Sequence, residues 1–138
     1  MVFLTDNDFK VVVGDSALKA ISQASDDVKD NAVLEAIEEM SGYLRPQYDV
    51  DKIFSATDTE RHRQIVMYCC DISLYHMISA MPQRMGSGVR EQRYKRAIEW
   101  LEDVQAGKIV PALPAATDDD GEETGSPIRY GTSFNPIW

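Results

Sequence analysis

The sequence predicts an all-α protein: a compact bundle of about four helices, with short N-terminal helices, two to three long antiparallel ones and an extended C-terminal tail. Three observations carry that prediction. Residues 61–81, RHRQIVMYCCDISLYHMISAM, are apolar on more than one face, as a central buried helix requires. Two flanking segments show the narrower i, i+3, i+4 stripe of helices that cover a core on one side. After Gly107 the composition shifts to prolines, an acidic run and few helix formers, dividing the chain into a helical domain at 1–109 and a tail at 110–138.

Taken in order, Thr5 and Asp8 form a Thr-x-x-Asp start signal ahead of Phe9, Val11, Val12 and Val13. Gly14 and Asp15 interrupt, Ser16 offers a second cap, and residues 17–21 supply another short piece; neither piece is long enough to stand alone. Asp26 and Asp27 cap a longer helix whose inward stripe is Val33, Ile37, Met40 and Leu44, with Glu35, Glu38 and Glu39 outside. It ends near Arg45, because Pro46 disfavours helical geometry in the residue before it. Tyr43, Leu44 and Tyr48 gather at that exit as packing residues.

Residues 49–57 read as a connection, in which Asp51 and Lys52 precede Ile53 and Phe54. The apolar pair is either tucked against the body or held out for a partner, and both readings stay open. Thr57 and Glu60 have capping-box spacing and mark the start of the central helix. Pro82 stops it, residues 83–88 turn, and a last helix runs over residues 89–105 with Tyr94, Ala97, Ile98, Leu101 and Val104 inward and Gly107 as its stop. Trp100 lies one position off that stripe, at the core edge or at a subunit contact.

Charge and chemistry narrow the function. With 14 basic and 23 acidic residues the net charge is −9, which disfavours sequence-independent phosphate binding. The tail from Lys108 onward holds two of the basic and five of the acidic residues, so the remainder is acidic in its own right, at −6. Arg90, Arg93, Lys95 and Arg96 form the main basic cluster; a solvated helix face, helped by Glu91, is its ordinary meaning, and an anion or DNA contact the other. No apolar run reaches the roughly 20 residues that span a bilayer, and acids near the N-terminus are unlike a secretory leader. We expect a cytoplasmic protein without membrane contact, whose neighbouring Cys69 and Cys70 stay reduced.

No catalytic or metal constellation emerges. His62 and His76 are about four turns apart on one helix, too far to share a metal. Residues 118–121, DDDG, lack the remaining acids of a calcium loop, and no phosphate-binding glycine motif is present. Asp71 interrupts a nearly apolar helix. A buried carboxylate needs a partner, Arg93 or Tyr43 being candidates, and fixing helix register is its expected role rather than acid catalysis. No cofactor is expected. Ile128, Tyr130, Phe134, Ile137 and Trp138 make the tail unusually sticky, so we expect it to order on a neighbouring subunit or partner, as an added strand for example.

Residues 39–44 (EMSGYL) with Tyr48, then Cys69-Cys70-Asp71-Ile72 with Tyr75, then Arg93-Tyr94, residues 97–101 (AIEWL) and Gly107-Lys108 together resemble the Mu-like phage gp36 family. That family is similar to the gp6-type and gp15-type head-tail connectors, or adaptors, of tailed bacteriophages and prophages. The resemblance covers residues 5–109. It implies a structural, non-enzymatic virion protein, made in the host cytoplasm, forming a dodecameric ring below the portal through which DNA passes without specific binding. The implied partners are the portal protein and a tail or stopper protein. Asp51, Lys52, Ile53 and Phe54 would then be a lumen or partner loop, and Ile128, Tyr130, Phe134, Pro136, Ile137 and Trp138 the docking tail. Tyr43, Tyr48, Asp71, Tyr75, Arg93, Tyr94, Trp100 and Leu101 would hold the core. The connection after Tyr48 lacks the family's proline-rich form, and Phe134-Asn135-Pro136 matches the related tails only in part. Two other classes compete: a nucleic-acid-binding module using the helix around Arg90 to Arg96, and a small helical enzyme built on Asp71 and His76.

Overall fold

Six α-helices and a two-stranded ladder make up the computed structural model, which describes residues 3–80, 87–117 and 123–125, the side chains of residues 87, 117 and 123–125 excepted. The helices are α1 (Asp6–Val13), α2 (Asp15–Ile21), α3 (Asp26–Leu44), α4 (Val50–Ser55), α5 (Arg63–Ser79) and α6 (Ser87–Gln105). Strands β1 (Ala116–Thr117) and β2 (Glu123–Gly125) pair antiparallel. The long helices α3, α5 and α6 pack mutually, α5 in the middle, and α1 and α2 dock on α5. The expected all-α bundle with short N-terminal helices is the fold observed.

Helix α5 is buried because its sequence leaves it no polar face. Ile65, Cys69, Ile72, Leu74, Met77 and Ile78 are all at most 2% exposed. Its two thiols are free and buried, and burial pushes Cys69 up to about 12 and Cys70 higher still. From α3 the core takes Val33, Ala36, Met40 and Leu44, and from α6 Ala97, Trp100, Leu101 and Val104. Trp100 is a core-edge residue: it is buried and its ring lies 5.0 Å from that of Tyr68.

The helix ends follow local chemistry, with three corrections to the sequence reading. Thr5 and Asp8 do form a reciprocal capping box. Gly14 divides α1 from α2 as expected, but Gly14 itself and not Ser16 takes the cap position of α2, at φ 82 and ψ 161, a conformation open in practice only to glycine. Ser25, rather than Asp26 or Asp27, caps α3 by accepting from the Val28 N–H, while the two aspartates sit in its first turn. Thr57 and Glu60 do not start the central helix. The Thr57 side chain makes no cap bond, Asp58 takes φ 52, and residues 58–60 close only one 3-10 turn. Arg61 is extended because its guanidinium is held by Asp8 and by the Phe3 and Asp58 carbonyls, so α5 starts after His62, whose Nδ1 accepts from the Ile65 N–H.

The connection after Tyr48 is helical rather than an open loop. Asp49 caps α4, and Ile53 and Phe54 turn inward to 4% and 8% exposure, with Phe54 edge-on to Phe3 at 5.1 Å. Of the two openings, the tucked one is realised, because the Phe3 ring offers apolar cover. The start of the tail also docks on its own subunit. Tyr48 bridges Ala115, the Asp49 N–H donates to the Pro114 carbonyl, and the Ala116 N–H donates to Gln47.

Candidate functional site

Where α5 meets α6, Asp71 is 4% exposed at its side chain and accepts a 2.8 Å hydrogen bond from Arg93 Nε, with Arg90 Nη1 3.9 Å away. Burial pushes the Asp71 carboxyl above the usual carboxylate range, working against the bond and charge of Arg93 and the charges of Arg90 and Arg96. The two arginines in turn need Asp71. Arg90 is almost as buried, its Nη1 has no hydrogen-bond partner among the described residues, and burial lowers its own pKa. The predicted basic cluster is therefore partly spent inside the molecule, and Lys95 is paired with Glu91 at 3.6 Å. Of the two candidate partners for Asp71, Arg93 is the one that binds it.

On the α3 side, Glu39 accepts from Tyr94 Oη at 2.5 Å and lies 2.9 Å from His76 Nε2. Tyr94 stacks on Tyr75 with centroids 4.1 Å apart. Burial, then the bond to and charge of Glu39, raise the Tyr94 phenol. This knot ties α3, α5 and α6 together. Sequence reasoning placed Glu39 on the outer face; the phase of a helix puts it at the stripe's edge, where a long carboxylate reaches a neighbouring helix.

A groove of about 670 Å³ opens between α1, the 58–60 turn, α5 and α6. Its apolar floor is Val11, Val12, Val66, Met67 and Cys70, and Val11 is 78% exposed. Its polar rim carries Arg61, Arg63 and Arg93 against Asp8 and Asp58, so the lining is locally positive in an acidic chain. Arg61 is committed: Nη1 donates to Asp8 at 2.6 Å and Nη2 at 3.2 Å. Burial works upward on the Asp8 carboxyl, but the bonds from Arg61 and Thr5 outweigh it and hold its pKa below the usual range.

The family model for bacteriophage Mu Gp36 matches residues 3–129, nearly the whole chain. The chain belongs to the bacteriophage Mu Gp36 family. No curated protein and no solved structure matches it. In this Gp36-family chain, the segments that resembled the family converge on the α3–α5–α6 junction, where Tyr43, Asp71, Tyr75, Arg93, Tyr94, Trp100 and Leu101 lie buried or half-buried. Tyr48 is buried beside the start of the tail.

Other expected features of the Gp36 chain separate. Asp51 and Lys52 stay exposed on α4, apart from the buried Ile53 and Phe54. His62 caps α5 whereas His76 binds Glu39, so they share nothing. Ile128, Tyr130, Phe134, Pro136, Ile137, Trp138 and the DDDG run at 118–121 lie outside the described residues. Among the described residues no group of three His, Cys, Asp or Glu is placed to hold a metal ion, and no helix is long and apolar enough to cross a membrane.

Proposed function

We propose that this phage protein is a structural subunit of the head-tail connector, assembling as a ring, a dodecamer, below the portal at the head-tail interface of the virion. The observation that carries the reading is the Gp36-family match across residues 3–129, set on a small helical bundle. Its partners in this reading are further copies of itself, the portal protein above and a tail or stopper protein below. DNA passes through the channel without being gripped, and the protein performs no catalysis.

Two physical features support the reading. A ring around moving DNA works best without many phosphate contacts, since each neutralised phosphate strengthens binding. Here the net charge is −9 and the strongest basic cluster is partly turned inward onto Asp71. That inward turn also counts against a nucleic-acid-binding module on α6. Asp51 and Lys52, exposed at the end of the bundle that bears α4, remain candidates for the lumen or a partner.

Electron microscopy of the concentrated protein, alone and with its portal, tests this. Closed rings of uniform size stacked on the portal are the expected result; a persistent monomer that never engages the portal defeats it. Duplex DNA binding should be weak even at low salt. A steep dependence of binding on salt, the mark of several phosphate contacts, would instead favour the DNA-binding reading.

A further inference from the structure

The groove between α1, α5 and α6 and the outer face of α3 carry matching patterns. Along α5, Arg63, Met67 and Asp71 are spaced by four residues, one step of about 6 Å each at 1.5 Å per residue. Asp71 holds Arg93 Nε at 2.8 Å, so the groove presents a cation, an apolar centre and a second cation in a line. On α3, Asp30, Leu34 and Glu38 have the same spacing and are all exposed. They present an acid, an apolar side chain and an acid. Leu34 is 63% exposed and Val11 78%, the two most exposed large aliphatic residues among those described.

The geometry points to a direct contact between copies of this chain, in which α3 of one copy lies antiparallel along α5 of the next. Leu34 then fills the floor at Val11, Val66 and Met67, Glu38 meets Arg63, and Asp30 meets Arg93. Both patterns read the same from either end, so the antiparallel sense is part of the proposal, and exchanging the charges of Glu38 and Arg63 is what tests it. Charge complementarity selects a second copy as the occupant: the groove is a positive spot on an acidic chain, and the α3 face, with Asp27, Asp30, Glu35 and Glu38, is the most acidic helix surface described. An isolated exposed leucine needs no explanation. One centred between acids at the spacing of the arginines does.

Because the groove and the α3 face are different surfaces, the contact is heterologous, and each copy can both give and receive. Repeated, it closes a ring or propagates. The inference rests on the ring reading and names the surfaces that build it.

Sedimentation of the full chain, with and without portal protein, tests the contact. Leu34→Asp and Val11→Asp, both at exposed sites, should keep the wild-type thermal transition while weakening self-association by at least about tenfold. Glu38→Arg and Arg63→Glu should each weaken it, and the double variant should recover most of the loss. Breaking the exposed Arg45–Glu38 pair at 3.5 Å in the first of these has little effect on folding. Mixing Leu34→Asp with Val11→Asp copies should give 1:1 pairs and nothing larger, since each retains one intact surface. A wild-type chain that assembles while all four single variants assemble equally well overturns this contact and leaves the ring reading standing. Assembly that survives Leu34→Asp but is lost on deleting residues 126–138 moves the subunit contact to the tail and also overturns this one. A wild-type chain that stays monomeric with and without portal overturns the ring reading and the contact with it.

Discussion

A half-buried aspartate, Asp8, and a buried one, Asp71, behave in opposite ways, and the difference is how much each is offered in return for losing water. Asp8 has Arg61 and Thr5 as donors, which hold its pKa low despite burial. Its stabilising contribution is therefore fully present above the unfolded carboxyl value near 3.8 and is lost as pH falls through its lower folded value. The stability gap between wild type and Asp8→Asn, read from urea midpoints between pH 7 and pH 2.5, should be constant down to about pH 4 and then close. Asp71 has a raised pKa, so its contribution is largest in acid and declines as pH rises through the folded value; acid unfolding does not begin there. It still matters at pH 7, because Arg90 and Arg93 lean on it. Asp71→Asn should cost about 2–3 kcal/mol, below the full penalty for breaking a buried pair because Arg93 is a third exposed. An unchanged denaturation midpoint would show that water already satisfies the arginines. Asp71 was conspicuous in the sequence as a charge in an apolar helix, and its partner was one of two foreseen; the Arg61–Asp8 pair was not, since a link across 53 positions leaves no local pattern.

At the level of elements, the long helices were legible because their burial is periodic, whereas their starts were decided by competition. Thr57 to Glu60 has the spacing of a cap, yet the pull of Asp8 on Arg61 moves the start of α5 to His62. Gly14 is the hinge on which α1 and α2 fold back. Gly14→Ala has open space for its methyl group but must hold φ 82 and ψ 161, so a loss of about 1–3 kcal/mol is expected in thermal or urea unfolding. No loss would mean that the α1–α2 turn relaxes. The tail divides in the same way into a part tied to its own subunit and a part outside the described residues. Truncation after Ile109 removes the Pro114–Asp49 and Ala116–Gln47 hydrogen bonds and the half-buried Leu113, and should lower stability by about 2 kcal/mol. Truncation after Gly125 should leave the transition of the monomer nearly unchanged. Equal effects of the two would place the stabilising contacts beyond Gly125.

For the whole molecule, function is expected to lie on surfaces rather than in a pocket of reacting groups. The most arresting sequence features, the doubled cysteine and Asp71, turn out to be scaffold: the thiols are sealed in α5 and the carboxylate fixes α6 against it. On the proposed connector reading, an activity screen of the single subunit should be blank; a measured turnover would count against that reading. Ring formation seen by microscopy should be lost on Leu34→Asp in parallel with self-association, while helical content stays at the wild-type level. Loss of helix in that variant would mean that Leu34 supports its own subunit instead.

The sequence by itself determined the all-α class, the three long helices, the inward faces and the acidic character, because hydrophobic periodicity and composition are properties of consecutive residues. It also carried the family, in segments whose side chains meet at one junction. Tertiary structure alone decided which cations were consumed inside, that Ile53 and Phe54 are buried in their own subunit with Phe54 against Phe3, and that one groove is left lined by arginines. Those outcomes depend on which groups find partners once every helix has docked, and that is a property of the packed chain, with no trace in any single stretch of it.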